Sequence, residues 1–403
     1  MEHGDPYQLM APLLADDRPE PPPRYDVDAA IRTGRHRATV RAAVAGAAAF
    51  LLVAAAVAVP VVVNSLSHDR VVTGPTPAPV VTGPPGPTAD CVGTGLTAPQ
   101  TDLGVFSTPT GAQMDPTGRY IVATFIDESV GSVGGAKSVL WDGGVATVLP
   151  VGIGQVGAIG VNSDGTVVGG GSLGDSARAY TQPWIYRGGT WQYLARPSNI
   201  DVSPRAIDSA GNVYGESAEG FVFWPADALD APEVIAGTAG DSIGGVTDDG
   251  MILGSAGPTD RLPALWRRTG DTWTRQYLPT GDFGRSGMAF GFANGLAVGY
   301  VKYGDAYGFH AAIWHPGEAG PLLVGGTGDF LIAVTAGGDA IGGHIGAPQT
   351  DMKPLRYHDG VLAELPAPSS GDGVGGSRSA TGISADGHTV VGMSDVVVDV
   401  WHC

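Results

Sequence analysis

The feature that most constrains this chain is a pattern repeated seven times between residues 114 and 403. Its first half is an apolar residue, a polar turn with Gly, and a short apolar run. The seven instances are MDPTGRYIVA (114–123), VNSDGTVVGG (161–170), IDSAGNVYGE (207–216), VTDDGMILGS (246–255), FANGLAVGY (292–300), VTAGGDAIGG (334–343) and ISADGHTVVG (383–392). The central Asp, Asn and Gly supply the local hydrogen bonds and positive φ that a tight hairpin requires. Each instance therefore predicts two antiparallel strands, here called A and B.

The second half of the pattern is centred on an aromatic residue, 40 to 48 positions from the next one. These residues are Trp141, Trp184, Trp224, Trp266, Trp314, Tyr357 and Trp401. A second turn and a short strand follow the first six, which predicts strands C and D. A period of 40–50 residues with four strands per unit is typical of a propeller blade. The sequence therefore predicts an all-β domain, a seven-bladed β-propeller.

The seventh unit is one strand short, because the chain ends two residues after Trp401. A spare apolar segment, from Val92 to Phe106, precedes the first A strand. A strand from one terminus can complete the blade at the other terminus and remove the open edge of the ring. We therefore expect an N-terminal strand to close the propeller.

The only two cysteines, Cys91 and Cys403, lie at the two ends of this domain. The end of strand C faces the start of strand D in a hairpin, so closure brings the two sulfurs together. A disulfide is chemically permitted outside the cytoplasm. Two unrelated thiols are the alternative. Redox-active chemistry is not expected, because no CxxC pair is present.

The repeat resembles the HAF family of extracellular repeats, whose units carry a similar A/I-x-(N/D)-x-x-G-x-V-V-G core. VNSDGTVVGG, IDSAGNVYGE and ISADGHTVVG match it best. This resemblance implies a bacterial secreted or surface β-repeat protein. It implies no particular activity.

Residues 42–63 predict a single transmembrane helix, since 22 residues without a charge exceed the roughly 20 needed to span a bilayer. Arg32, Arg35, Arg37 and Arg41 precede it, so the positive-inside rule places residues 1–41 in the cytoplasm. We expect 1–41 to be largely disordered, 64–90 to be a Pro-rich extracytoplasmic linker, and 91–403 to lie outside the cell. The leader resembles those of actinobacterial single-pass membrane proteins. A cleaved signal peptide is the competing interpretation.

Residues 91–403 contain 31 Asp and Glu against 15 Lys and Arg, a formal charge of −16. A domain this acidic repels a phosphate backbone, so nucleic acid is not an expected partner.

Several motif matches do not predict chemistry. G-x-G-x-x-G at 152–157 precedes a strand, whereas dinucleotide binding requires a helix there. The two G-x-S-x-G matches, at 170–174 and 240–244, lack the strand–turn–helix context of a nucleophile. The six histidines of the domain have no metal-ligand spacing. We therefore predict no catalytic residue, no metal and no cofactor.

The connections between strands B and C vary in length, and in a propeller they emerge on the same face as the D–A connections. Variable loops on a rigid scaffold are where binding usually occurs. The candidate binding residues in these loops are Asp127, Glu128, Asp175, Tyr180, Asp260, Arg261, Tyr303, Asp305, Tyr307 and Asp351. Tyr together with carboxylates suits a carbohydrate or peptide ligand.

The first hypothesis for function is a membrane-anchored binding module for a protein, peptide or glycan, acting as a monomer. One alternative is a propeller hydrolase or lyase that acts on an envelope polymer or glycan. Another is a transmembrane sensor that signals to a cytoplasmic partner. Without a recognisable catalytic constellation, an enzyme is the less favoured interpretation.

Overall fold

The computed structural model describes residues 90–99, 103, 108–126, 136–150, 155–173, 180–197, 200–257, 261–283, 286–302, 308–346, 352–368, 379–394 and 397–403. The predicted tail 1–41, helix 42–63 and linker up to residue 89 lie outside these residues. Within the described part, no helix has the length and apolar character needed to cross a membrane.

The described residues form 28 strands and almost no helix. Strand β1 (Val92–Leu96) precedes the first blade, which contains β2 (Thr108–Met114), β3 (Tyr120–Ile126), β4 (Ala136–Asp142) and β5 (Val145–Val148). Blade 2 contains β6 (Gln155–Val161), β7 (Val167–Leu173), β8 (Tyr180–Arg187) and β9 (Thr190–Tyr193). Blade 3 contains β10 (Val202–Ile207), β11 (Val213–Ser217), β12 (Gly220–Trp224) and β13 (Glu233–Val234). The fourth and fifth blades are β14 (Ser242–Val246), β15 (Ile252–Ala256), β16 (Leu262–Thr269) and β17 (Thr272–Tyr277); β18 (Ser286–Ala293), β19 (Leu296–Lys302), β20 (Phe309–Trp314) and β21 (Leu322–Thr327), preceded by a 3₁₀ turn at Gly281–Phe283. The last two blades contain β22 (Asp329–Val334), β23 (Ala340–Ile345), β24 (Met352–His358) and β25 (Val361–Glu364); β26 (Ser379–Ile383), β27 (Thr389–Met393) and β28 (Val398–His402).

Each blade is an antiparallel sheet in the order A-B-C-D. The seven A strands contact one another in sequence, and β26 contacts β2, so they form a closed ring. This arrangement confirms the predicted seven-bladed β-propeller. Blades 1 and 2 are also joined by one parallel bridge between Ala136 and Gln155.

The seventh blade is completed by the N-terminal strand, as predicted. Strand β1 pairs with β28 in an antiparallel register from Val92–His402 to Leu96–Val398. Cys91 and Cys403 form a disulfide with their Cα atoms 4.1 Å apart. The disulfide occupies the place where other blades have a C–D turn, such as Gly143–Gly144 with φ of 56° and 88°. A covalent bond between distant residues thus replaces a two-residue turn.

The apolar core lies between neighbouring blades. Val391, Val398 and Val400 of the last blade pack with Ile121 and Trp141 of the first. Equivalent clusters fill other junctions, because each strand of a blade turns apolar side chains to the sheets on both sides. Burial of this surface stabilises the ring by roughly 25 cal/mol per Å² of apolar area.

The glycine that ends the Val-Val-Gly run is explained by the B strand it occupies. A Cβ atom on Gly392 would lie 2.1 Å from the carbonyl oxygen of Ser379 and 2.8 Å from the ring of Trp401. A Cβ on Gly169 would lie 2.2 Å from the ring of Trp184. The motif therefore ends in glycine because a larger side chain would collide with the backbone of the neighbouring strand and with the Trp ring.

The blade tryptophans are buried and link one blade to the preceding one. The indole nitrogens of Trp224, Trp314 and Trp401 donate to backbone carbonyls 2.7–2.8 Å away. Each acceptor lies just after the D strand of the preceding blade. The repeated aromatic residue is thus a structural element of the ring.

Every A strand contains a β-bulge at the same place, which the sequence did not predict. The register with strand B shifts by one residue in all seven blades. The residues inside the seven shifts are Thr110, Ile159, Arg205, Gly244, Phe290, Ile332 and Thr381. A bulge adds one residue to a strand and increases its local twist. Each of these seven residues therefore lacks a register partner in strand B, and one of them lies in every inner strand of the ring.

Candidate functional site

The strand order gives the propeller two distinct faces. The A–B and C–D turns lie on one face, here called the A–B face. The B–C and D–A connections lie on the other, here called the B–C face. The B–C connections range from the two residues Ala218–Glu219 in blade 3 to residues 127–135 in blade 1, and the D–A connections range from Gly328 alone to residues 365–378. This face therefore varies from blade to blade, as the sequence predicted.

The A–B turns of six blades span five residues each and satisfy their own backbone groups, while the C–D turns on the same face include the longer stretches 225–232 in blade 3 and 315–321 in blade 5. Asp115 accepts the N–H groups of Tyr120 and Thr117 at 2.6 and 2.8 Å. Ser384 accepts the N–H of Thr389 at 2.9 Å, and Thr335 accepts that of Asp339 at 3.2 Å. Side-chain oxygens at the start of a turn are well suited to this role. The Asp-rich turns therefore have a structural function.

Neighbouring A–B turns are also bonded to one another. Asn162 Nδ2 donates to the carbonyl of Asp208 at 3.2 Å, and Ser209 Oγ donates to that of Asp248 at 2.7 Å. Ala385 N–H in the last blade donates to Pro116 C=O in the first blade at 2.7 Å. Such bonds engage groups that a ligand on this face would otherwise use.

The chain enters the propeller on the A–B face. Cys403 N–H donates to the carbonyl of His388, which belongs to the A–B turn of the last blade, at 2.8 Å. Arg356 lies 3.4 Å from Cys91 Sγ and 3.4 Å from a carboxylate oxygen of Asp339, another A–B turn residue. A segment that precedes Cys91 is therefore joined to this face.

Two of the ten predicted binding residues, Tyr180 and Arg261, lie among the residues that the structure describes. Asp127, Glu128, Asp175, Asp260, Tyr303, Asp305, Tyr307 and Asp351 lie outside the described residues. Tyr180 is the first residue of β8, and Arg261 precedes β16, so both belong to the B–C face. The prediction for the whole set of ten stays untested.

Arg205 and Glu216 form an ion pair at the B–C face of blade 3. Arg205 lies within the β-bulge of the A strand, and its Nη2 donates to Glu216 Oε2 at 2.8 Å. The other carboxylate oxygen of Glu216 accepts the N–H of Ile243 in blade 4. Arg205 Nε is buried and has no partner among the described residues. The Arg205 side chain as a whole is 19% exposed, so part of it is open to solvent beside the ion pair.

This ion pair lines a groove of about 300 Å³. The groove is polar and is formed by Asp201, Ser203, Arg205, Glu216, Ser217 and Ala218. The B–C turn of blade 3 has only two residues, so no longer loop covers the groove at this point. A guanidinium, carboxylates and hydroxyls together can form several hydrogen bonds with a polar ligand.

A second group of polar contacts fixes the B–C face of blade 4. Asp241 accepts the N–H of Gly257 at 2.8 Å and pairs with Arg275 at 3.1 Å. Arg261 Nη1 donates to Ser242 Oγ at 3.0 Å. The predicted residue Arg261 is thus anchored to its own blade. Burial raises the pKa of Tyr300 in blade 5, and Arg261 opposes that shift.

Asp329 and His344 form a third polar pair, at the B–C face of blade 6. Asp329 Oδ1 lies 2.6 Å from His344 Nδ1, and its Oδ2 accepts the N–H of Gly326. Asp329 is 5% exposed. The carboxylate fixes the imidazole ring and leaves Nε2 on the opposite side.

The sequence reasoning did not identify Arg205, Glu216, Asp329 or His344 as a set. Glu216, Asp329 and His344 lie at or next to strand ends that face the B–C connections, and Arg205 lies in the bulge of its A strand. The available signal was therefore a charged residue at that position of the repeat, where other units have small or apolar residues. No group of three metal-ligating side chains is present among the residues that the structure describes.

The strand order and the ring of inner strands define a seven-bladed β-propeller with a covalently closed seam. No protein-family model matches the chain, and no curated protein sequence matches it. Among solved structures, the β-propeller domain of the Trilobed protease from Pyrococcus furiosus aligns with a TM-score of 0.49 and 9% identity, over 73% of this chain and 93% of that one.

Two further structures are similar to the chain at the same level. YCF48 bound to D1 peptide has a TM-score of 0.48 and 10% identity, over 79% of this chain and 97% of that one. A Mycobacterium tuberculosis puromycin-hydrolyzing peptidase has a TM-score of 0.48 and 13% identity, over 79% of this chain and 53% of that one. The likeness concerns the fold alone, and the fold assignment depends on the strand order described above.

Proposed function

We propose that the chain is a membrane-anchored extracytoplasmic binding module whose B–C face holds a protein, peptide or glycan. The observation that supports this most is the difference between the two faces. The A–B turns are short, capped by their own side chains and bonded to one another. The connections on the B–C face vary widely in length, and polar side chains line a groove beside the shortest B–C turn. Binding on propellers and other rigid scaffolds usually occurs in such loops.

The attachment point of the chain supports the same orientation. A linker over 64–90 would reach the propeller at Cys91, on the A–B face. An anchor on that side would hold the A–B face toward it and leave the B–C face directed outward. The proposed localisation is therefore the outer side of the cell membrane, with residues 1–41 in the cytoplasm.

The groove of blade 3 is the proposed place for the most polar group of the ligand. Arg205 is paired with Glu216, and the exposed part of its guanidinium would approach a carboxylate, carbonyl or hydroxyl of the ligand. Charge-assisted hydrogen bonds are about twice as strong as neutral ones. Removal of Arg205 should therefore weaken binding more than removal of any arginine on the A–B face.

The test is binding of the full-length chain to a glycan array and to a peptide array, followed by affinity measurement on the best ligand. The variant Arg205→Met should weaken that affinity about tenfold or more, since hydrogen bonds to charged groups are worth roughly 1.5–3 kcal/mol. Arg205→Met/Glu216→Gln should do the same without leaving an unpaired carboxylate.

Arg119→Met is the matched control. Arg119 is paired with Asp142 at 2.6 Å on the A–B face, where its side chain is 59% exposed. It should leave ligand affinity unchanged. Failure of both arrays, or equal loss in the Arg205 and Arg119 variants, would count against the proposal.

The hydrolase or lyase alternative has one specific observation in its favour, the Asp329–His344 pair. A carboxylate that orients a histidine is common in general-base sites. However, the described residues around this pair include no second carboxylate in contact with it. Turnover of chromogenic glycosides that His344→Ala abolishes would favour the enzyme.

The resemblance to HAF repeats and to actinobacterial leaders supports a bacterial surface protein, and both remain proposals. The sensor alternative depends on residues 1–41, which lie outside the described residues. A specific cytoplasmic partner for that segment would favour it.

A further inference from the structure

A small cavity lies between blades 5 and 6 on the A–B face, away from the site proposed above. Its volume is about 200 Å³. Blade 5 contributes Leu296, Val298, Ile313 and His315, and blade 6 contributes Val334, Tyr357 and Asp359 among others. A site for a drug-sized ligand usually has roughly 300–1,000 Å³, so this cavity suits a single side chain.

The cavity lies beside an unusually short A–B turn. Blade 5 has the two-residue turn Asn294–Gly295, with φ of 48° and 85°, between β18 and β19. The corresponding turn of blade 6 spans residues 335–339. Fewer turn residues leave less material to cover the space between the two blades.

The repeat allows the same position to be compared in other blades. Tyr120 precedes Ile121, which pairs with the blade residue Trp141. Leu296 precedes Ala297, which pairs with Trp314. Leu296 is therefore the counterpart of Tyr120. By the same register Val298 is the counterpart of Tyr214, because Val213 pairs with Trp224.

Two other junctions are filled by these tyrosines. The ring of Tyr120 packs on Gly165 of blade 2, within 2.9 Å of the position a Cβ would take. The hydroxyl oxygen of Tyr214 lies 2.6 Å from the position that a Cβ on Gly250 of blade 4 would take. At the junction of blades 5 and 6, Leu296 stays 3.8 Å from the Cβ position of Gly338. The aliphatic counterparts leave space that an aromatic ring fills elsewhere.

The rim of the cavity is acidic. The Asp359 side chain is 89% exposed, and its Oδ2 lies 3.4 Å from His358 Nε2. Asp339 is bonded to Arg356 and His358. A positive charge next to the occupant would therefore be favoured.

We propose that this cavity binds an aromatic side chain of a peptide or protein partner, with a basic residue beside it in the partner sequence. The aliphatic walls hold the ring, as the blades themselves hold Tyr120 and Tyr214. Asp359 at the rim attracts the neighbouring cation. This site is independent of the B–C face, and its failure would leave that proposal unaffected.

The test is saturation-transfer NMR on the full-length chain with three probes. These are acetyl-tyrosyl-arginine amide, acetyl-tyrosyl-glutamate amide and acetyl-alanyl-arginine amide. Saturation should reach the tyrosine ring protons of the first probe most strongly. Leu296→Tyr supplies the missing ring from within the chain, so it should abolish that transfer.

Val145→Tyr is the matched control, since Val145 is 70% exposed on the D strand of blade 1. It adds a tyrosine without filling the cavity and should leave the signal intact. Asp359→Asn keeps a residue that tolerates positive φ. It should weaken the arginine probe about twofold to fivefold, as expected for an exposed ion pair.

Three outcomes would overturn the proposal. They are absence of transfer in the unmodified chain, equal transfer in Leu296→Tyr, and equal binding of the arginine and glutamate probes. If Leu296→Tyr fails to fold, the Asp359→Asn comparison still decides the charge preference.

Discussion

The indole nitrogen of Trp141 in the first blade donates a hydrogen bond to the backbone carbonyl of Thr97, at 3.1 Å. Thr97 follows β1, the outer strand of the last blade. Trp224, Trp314 and Trp401 donate to the equivalent position of their own preceding blades. The N-terminal strand thus gives the last blade the same contact with its neighbour that a D strand provides at the other three junctions.

The disulfide should contribute strongly to stability. The linked residues are 312 positions apart, and the loop-entropy model gives about 5 kcal/mol for a loop of this size. Cys91→Ser/Cys403→Ser should lower the free energy of unfolding by an amount of that order, measured by denaturant titration. A reductant should destabilise the unmodified chain and leave the double variant unchanged. An unchanged denaturation midpoint in the double variant would contradict this.

The Trp–carbonyl bonds should be distinguishable from Trp packing. Trp184 and Trp266 are buried, but their indole nitrogens have no partner among the described residues. Trp141→Phe and Trp224→Phe should therefore cost about 1 kcal/mol more than Trp184→Phe and Trp266→Phe, since only the first two lose a hydrogen bond. Thermal unfolding of the four variants measures the difference. Equal losses would mean that the bonds add no net stability.

Tyr214 should make the fold sensitive to alkaline pH. Burial first, and then Asp208, raise the pKa of Tyr214 above its ordinary value of 10.0. A raised pKa in the folded state gives stability that is present below pH 10 and is lost as pH rises further. Tyr214→Phe should therefore reduce the loss of stability above pH 10. Denaturant titrations at several alkaline pH values measure it, with Tyr193→Phe, an exposed tyrosine, as control.

Replacement of two aspartates of the A–B face by asparagine should change the melting temperature in opposite directions. Burial, Asp208 and Asp249 raise the pKa of Asp248. Hydrogen bonds from Ser384 and the His388 backbone lower that of Asp386. At neutral pH, Asp248→Asn should raise the melting temperature and Asp386→Asn should lower it.

Melting temperatures measured at acidic pH test the sign of both effects. The penalty of ionised Asp248 is removed as pH falls through its raised pKa, and the benefit of ionised Asp386 is lost as pH falls through its lowered pKa. Both variants should therefore approach the unmodified chain as pH falls through the pKa of the replaced carboxyl, which requires a lower pH for Asp386 than for Asp248. A shift that persists in acid would have a cause other than charge.

The sequence was sufficient to predict the blades, because their signals are local. Turn residues and a central aromatic residue recur within every unit, at a spacing of 40 to 48 positions. The disulfide followed from the missing strand and the positions of Cys91 and Cys403. The β-bulges were not predictable, since a bulge changes pairing without a distinctive residue type.

The candidate site was predicted less completely. The face was inferred from connection length, and Tyr180 and Arg261 do lie there. Arg205–Glu216 depends on which residues of strands A and B lie opposite each other after the bulge. That register is a property of the folded sheet, so sequence spacing alone did not reveal the pair.

The disulfide at the seam has a mechanical consequence. If the chain is pulled from residues before Cys91 while a ligand holds the opposite face, the load enters at the end of β1. Without the Cys91–Cys403 bond, β1 would peel from β28 one hydrogen bond at a time. With the bond in place, tension passes directly to Cys403 and is shared by two strands. The last blade is thereby protected from unzipping at the point where force arrives.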